Sequence, residues 1–249
     1  MKQSSTNNDY KNSSLTIYYQ NSGRKNNEID ELVHQGGSKI LHLIPLTEYL
    51  LSNTEINYVN IDSCNLRACF CRKSRKNGGV SVFVNEALRY TFADLNESCI
   101  DLDIEIYDVK LHYSSSNTSL LSTYRSPSGN FSYFLKTLAS ILNRIYTNSL
   151  NIIISRHINI SYLDNDNNNE QKLNSLLATF NLFSIIDFPT RINNISMSAI
   201  VNFFIDKYKN ENFTINSLQN GLSDHDAQLL VLNNIKIQNP SIDNQRRHK

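Results

Sequence analysis

Nowhere in the 249 residues does an apolar run approach the roughly 18 needed to cross a bilayer, so a helical membrane span is excluded. Nor does the chain open on a hydrophobic secretory segment. A nuclear or cytoplasmic protein, not secreted and with no membrane partner, is expected. Cys64, Cys69, Cys71 and Cys99 have neither paired CxxC spacing nor histidines placed as zinc ligands, which argues for reduced, structural thiols. Charge of one sign is missing as well. With 24 Lys and Arg against 23 Asp and Glu, the net charge is +1, and contact with a polyanion has to come from local clusters of basic residues. Glycine is scarce, at 7 of 249 residues, and no internal repeat is found.

What is present is enough apolar sequence, 40% of the chain, to bury a real core in a single domain. That domain is expected over residues 15–235, as a monomer, between a polar, disordered segment at 1–14 and a polar tail at 236–249. Strand-length apolar runs fall at Leu15 to Gln20, Ile40 to Leu46, Val80 to Val84, Ile100 to Leu111, Leu120 to Tyr124, Asn151 to Ile154, Ile200 to Ile205 and Ala227 to Leu232. Within one of them Ile100, Leu102, Ile104 and Ile106 alternate with Asp101, Asp103 and Glu105, the period of a strand with one wet face. Phe131, Phe134, Leu138, Ile141, Leu142 and Ile145 recur at helical spacing, as do Leu173, Leu176, Leu177 and Phe180. Strands with interspersed helices point to an α/β sandwich in which helices cover two packed sheets.

Polar residues with chemistry stand where several of these runs end. Gly221-Leu222-Ser223-Asp224-His225-Asp226 precedes a strand and offers a carboxylate for a metal beside an imidazole for a phosphate. Glu48 follows an apolar strand, where a hard cation would find an oxygen ligand. Asn21 ends another run, and a strand-end amide can orient a metal-bound carboxylate or water. Tyr124-Arg125-Ser126-Pro127-Ser128-Gly129-Asn130 combines a phenol, a guanidinium and a turn able to bond phosphate oxygens. Asn151 to Ile154 leads abruptly into Ser155-Arg156-His157-Ile158-Asn159, where His157 and Asn159, two residues apart, can face one site. Taken singly, each of these is as readily a turn, a cap or an exposed strand end.

Their order along the chain resembles the endonuclease/exonuclease/phosphatase superfamily, most closely the jockey-like endonucleases of non-LTR retrotransposons. The resemblance runs from about Leu15 to about Leu232. It rests on Asn21, the Leu-Thr-Glu ending at Glu48, Gly78-Gly79-Val80, Tyr124-Arg125-Ser126-Pro127, Phe188-Pro189-Thr190-Arg191 and Ser223-Asp224-His225. It implies a deoxyribonuclease I-like, four-layer α/β sandwich of two packed mixed β-sheets flanked by helices, nicking DNA with Mg²⁺ or Mn²⁺. Asn21 and Glu48 would bind the metal with Asp224 supporting that side, Tyr124 would contact the scissile phosphate, His225 would stabilise the pentacovalent phosphorus, and Asn159 would hold the attacking water.

Two positions depart from the pattern. His157 stands in place of the aspartate that deprotonates the water, with Arg156 where the motif has glycine, and Val201 stands in place of the aspartate that pairs with the histidine. A positioned general base contributes about 10²–10⁴-fold, so hydrolysis is expected to be impaired. The rival readings are a non-catalytic nucleic-acid-binding relic, and a repair-type endonuclease or phosphoesterase of the same superfamily. Arg67, Arg72, Lys73, Arg75 and Lys76, with Phe70 among them, form a basic cluster that could straddle DNA, and Arg125 is a further candidate contact. A reverse transcriptase domain belongs to an intact element, and its absence from this chain suggests an isolated fragment.

Overall fold

Short runs of β-branched and aromatic residues set the frame. In chain order the elements are β1 (Leu15–Asn21), β2 (Leu43–Thr47), the one-turn helix α1 (Asn53–Ile56), β3 (Cys64–Phe70), β4 (Val80–Asn85), β5 (Tyr90–Ala93), β6 (Glu105–His112), β7 (Asn117–Tyr124), α2 (Phe131–Ile145), β8 (Asn151–His157), α3 (Asn168–Ala178), β9 (Leu182–Ser184), β10 (Arg191–Ile192), β11 (Met197–Ser198), β12 (Val201–Asp206), β13 (Phe213–Leu218) and β14 (Ala227–Leu232). The computed structural model describes residues 14–23, 40–49, 51–72, 78–112, 117–163, 167–192, 197–221, 223–233 and 235. The expected disordered start and polar tail lie, Ser14 apart, outside the described residues, as do Lys73, Arg75 and Lys76 of the basic cluster.

Two six-stranded mixed sheets result, in the orders β13-β14-β1-β2-β4-β3 and β5-β6-β7-β8-β12-β9, with β10 and β11 forming a separate ribbon. Each sheet has one parallel pair at its centre, β1 with β2 and β7 with β8, and antiparallel neighbours outside it. Alternation along the strands divides the apolar residues among three layers. Leu15, Ile17 and Tyr19 of β1 and Ile153 of β8 lie in the core between the sheets with Val109, Leu120, Phe203 and Leu230. Ile152 and Ile154 of β8 and Phe204 of β12 face the other way, where Phe134, Leu138, Ile141 and Leu142 of α2 and Leu173 and Leu177 of α3 cover them. On the outer face of the first sheet Tyr18, Ile44, Leu46 and Phe83 pack with Ile56 of α1. Both long helices start on an asparagine whose side chain accepts first-turn amide hydrogens, Asn130 for α2 and Asn167 for α3.

One expectation needs correcting. The alternation from Ile100 onward does not continue as a strand with one wet face. Leu102 adopts φ +75° in a turn at 101–103, Ile100 and Ile104 form an isolated bridge, and the strand begins at Glu105. Both of its faces are then covered, which buries Glu105 and Asp108. All four cysteines are free, as their spacing suggests.

Candidate active site

Because β1 and β2 run parallel in one sheet and β7 and β8 in the other, four chain ends meet at one edge of the sandwich. Crevices at the carboxyl ends of parallel strands are the usual ligand sites of such sheets. Asn21 closes β1, Glu48 follows β2, Tyr124 closes β7 and His157 closes β8. Val201 opens β12 directly opposite His157, and His225 precedes β14.

The side chains form one connected set. The Asn21 amide nitrogen donates to Glu48 Oε2 (2.7 Å) and lies 2.7 Å from His157 Nδ1. Tyr124 donates its hydroxyl to Glu48 Oε1 at 3.3 Å, and His157 Nε2 lies 3.8 Å from Glu48 Oε2. Asn159 takes a bond from His157 Nε2 (3.3 Å) on its Oδ1 and donates its Nδ2 to the carbonyl of Arg125. The His157 ring meets the edge of His225 with 4.8 Å between centroids, and His225 Nε2 is 3.8 Å from Asp224 Oδ1. Glu48 and Asn159 both hold φ near +55°. Glu48 is fixed there by its amide bond to the carbonyl of Gly79, whose own N–H is bound by the buried Glu105. A left-handed glutamate is the kind of local strain that persists where surrounding contacts over-determine it.

The network sets the state of His157. An amide nitrogen facing Nδ1 makes that atom the acceptor, so the proton sits on Nε2 and points to Asn159. Burial lowers the His157 pKa to about 4, and Arg156 beside it acts in the same direction. His225 is held neutral as well, down to about 3, by burial and then by His157. Its Nδ1 is buried without a hydrogen-bond partner among the described residues, and Val201 puts only an apolar side chain at the matched position. Tyr124 is pushed upward, first by burial and then by Glu48.

The basic candidates divide. Arg125 is buried, its Nε bound to the carbonyl of Ile158 (3.1 Å) and its Nη1 to that of Gly129 (2.6 Å), so it braces the 125–130 turn. Arg72 turns inward too, pairing with Glu105 and lying over the Tyr124 ring. Arg67 stays exposed on the edge strand β3, its guanidinium over Tyr90. Arg156 points away from the cleft altogether, into the layer beneath α3, so its bulk does not obstruct the site. Two connections had no local signal in the sequence. Arg191 pairs with Asp224 at 2.5 Å. Thr190 receives the amides of Val201 and Asp226 on its hydroxyl and carbonyl, and these contacts join residues far apart in the chain.

A hard divalent cation needs oxygen ligands. Mg²⁺ keeps several waters and takes one or two carboxylates. Glu48 supplies one carboxylate, and Asn21 Oδ1 is buried with no partner among the described residues, so that modest donor set fits. Among the described residues no three His, Cys, Asp or Glu side chains are grouped to hold a metal ion, and Asp224 is taken up by Arg191.

This geometry defines a deoxyribonuclease I-like fold of the endonuclease/exonuclease/phosphatase type. The comparisons with solved structures agree. The endonuclease domain of TRAS1, a telomere-specific non-LTR retrotransposon, superposes with a TM-score of 0.71 at 14% identity, over 91% of this chain and all of that one. A 3'-5' exonuclease from Neisseria meningitidis gives 0.60 at 12% identity (87% and 98% covered), and a humanized D. rerio TDP2 gives 0.57 at 11% identity (88% and 98% covered). At these identities the likeness is one of fold. No protein-family model matches the chain, and no curated protein matches it in sequence.

Proposed function

We propose that the chain is a Mg²⁺-dependent DNA endonuclease domain of the non-LTR retrotransposon type, impaired in this copy. The observation that carries the reading is the bonded set Asn21–Glu48–Tyr124–His157–Asn159 with His225 against it, at the edge where both parallel pairs end. Its resemblance to the TRAS1 domain along the whole fold supports DNA as the partner. Glu48 and Asn21 would hold the metal, which supplies charge neutralisation at the phosphate and leaving oxygen when bound. Tyr124 and Asn159 would bind the phosphate and water, and His225 the transition-state charge.

The impairment follows from proton bookkeeping. A base must offer a lone pair to the water, and the only lone pair of neutral His157 is turned onto the Asn21 amide. His225 keeps its place without a carboxylate to fix its tautomer. Restoring cleavage therefore takes both His157→Asp and Val201→Asp. The double variant should nick supercoiled plasmid in the presence of Mg²⁺ while the wild type and each single variant stay slow. Wild-type nicking as fast as that of the double variant, abolished in both by His225→Ala, would refute the impairment. The second reading, a nucleic-acid-binding relic, is favoured by the unpartnered His225 Nδ1; a gel shift that persists with no nicking in the double variant selects it.

A further inference from the structure

The loop that carries Asp224 and His225 is anchored by a residue on the opposite side of β1 from the cleft. Gln20 precedes Asn21 and so points to the other face of the sheet, where it is fully buried. Its Nε2 shares two hydrogens among three oxygens, the carbonyl of Asn21 (2.8 Å), the hydroxyl of Ser223 (3.2 Å) and the carbonyl of His225 (3.2 Å). Its Oε1 accepts from Asn220 Nδ2 (2.6 Å) and from the hydroxyl of Tyr18 (3.4 Å). Ser223 completes the turn, donating its hydroxyl to the carbonyl of His225 and accepting the amide of His225. One side chain therefore ties the metal-side Asn21 to both ends of the 220–225 segment.

We propose that Gln20 is the positioning residue for His225, fixing its main chain at the cleft where no carboxylate fixes its ring. Among the described residues the imidazole makes no hydrogen bond through Nδ1, and its Nε2 contact with Asp224 is 3.8 Å, too long to orient a ring. The backbone of His225 is bonded on both its amide and its carbonyl, and Gln20 reaches the carbonyl directly and the amide's partner, Ser223, as well. A buried amide with both donor hydrogens and its acceptor satisfied holds a single geometry. The proposal rests on the reading of His225 as the group facing the phosphate, but its test does not require cleavage.

The test compares the full chain with Gln20→Met, which keeps the length of the side chain and removes every bond that the Gln20 side chain makes. Carbethoxylation of histidines by diethyl pyrocarbonate is followed peptide by peptide by mass spectrometry, with His42, bonded to the Thr16 amide at the far end of β1 from the cleft, as internal control. Release of the loop should raise the rate at His225 about tenfold, equivalent to about 1.4 kcal/mol, and leave the rate at His42 unchanged. Equal acceleration at both histidines would mean general loosening, and no acceleration at His225 would mean that the loop holds itself; either result overturns the proposal. If Gln20→Met does not fold, Asn220→Ala, which removes the 2.6 Å bond to Gln20, should give the same selective acceleration in smaller degree, and its absence there overturns the proposal too. A chain that never cleaves DNA leaves this outcome untouched.

Discussion

Replacing Arg156 by methionine should make the protein more stable. Arg156 is 1% exposed, and among the described residues none of its three guanidinium nitrogens meets a hydrogen-bond partner in good geometry, the nearby Tyr162 giving it its largest electrostatic support. Removing a cation from water costs several kcal/mol even after relaxation, and burial accordingly lowers the affinity of this guanidinium for its proton. Opposing that cost are the rings of Tyr162 and Phe204, 4.3 and 4.9 Å from the guanidinium carbon, and a desolvated cation–π contact contributes about 2 kcal/mol. Two such contacts nearly cancel the penalty but leave the unmet donors. Methionine retains most of the apolar stem, and its thioether packs well against aromatic edges. Substitution of buried, poorly compensated charges by apolar residues of similar volume yields about 1–4 kcal/mol in favourable cases, and we expect the lower half of that range. For a chain of this size each kcal/mol raises the melting midpoint by about 2–4 °C. Urea unfolding of the two proteins, with equal denaturant slopes, gives the difference directly. A loss of stability of more than about 1 kcal/mol in Arg156→Met would show that the aromatic sandwich outweighs desolvation, and the reasoning would be wrong.

Three further outcomes are expected. In metal-free buffer, His157 stays neutral in the folded state down to about 4 against 6.5 when unfolded; as pH falls through that window only the unfolded chain gains the proton, so stability drops by about 3 kcal/mol in all. His157→Asn should lose that part of the pH dependence in denaturation curves, and an unchanged slope would count against it. Glu48→Ala should abolish Mg²⁺ binding by calorimetry, because it removes the only carboxylate of the fitted donor set; undiminished binding would remove Glu48 from the site. Gly79→Ala should destabilise by about 2 kcal/mol or more, since a Cβ there would stand 2.8 Å from the Tyr49 ring and 2.9 Å from the carbonyl of Phe70 at a φ of +101°; thermal unfolding equal to wild type would contradict this.

The buried elements were readable because their apolar residues are continuous. β14 spans the expected Ala227 to Leu232, β4 and β12 lie within a residue of their runs, and α2 follows its stripe from Phe131 to Ile145. The strands that escaped notice are at or near sheet edges. β13 and β3 are half exposed, with polar residues such as Thr214, Asn216, Asn65 and Arg67 between apolar ones, so neither gives an apolar run. In the cleft, strand-end residues were identifiable because local sequence fixes where a strand stops. Partners were not. The Asn21 bond to His157 spans 136 positions and that of Gln20 to His225 spans 205, and Arg156 beside His157 reads as an intruder in the site until the alternation of β8 turns it to the far face.

The pairing of β1 with β14, Leu15 opposite Leu232, bears on how the molecule is made. The first sheet is stitched shut by β14, the last along the chain of the described strands, which enters between β13 and β1. Until then β1 presents an open hydrogen-bonding edge, β13 has no neighbour, and the cleft lacks His225. A chain halted before residue 227 would therefore leave the ribosome with its second sheet complete and its first exposed, a species prone to pair with other strands. The same closure delays the cleft in folding, since it is available only once the chain has emerged as far as Leu232.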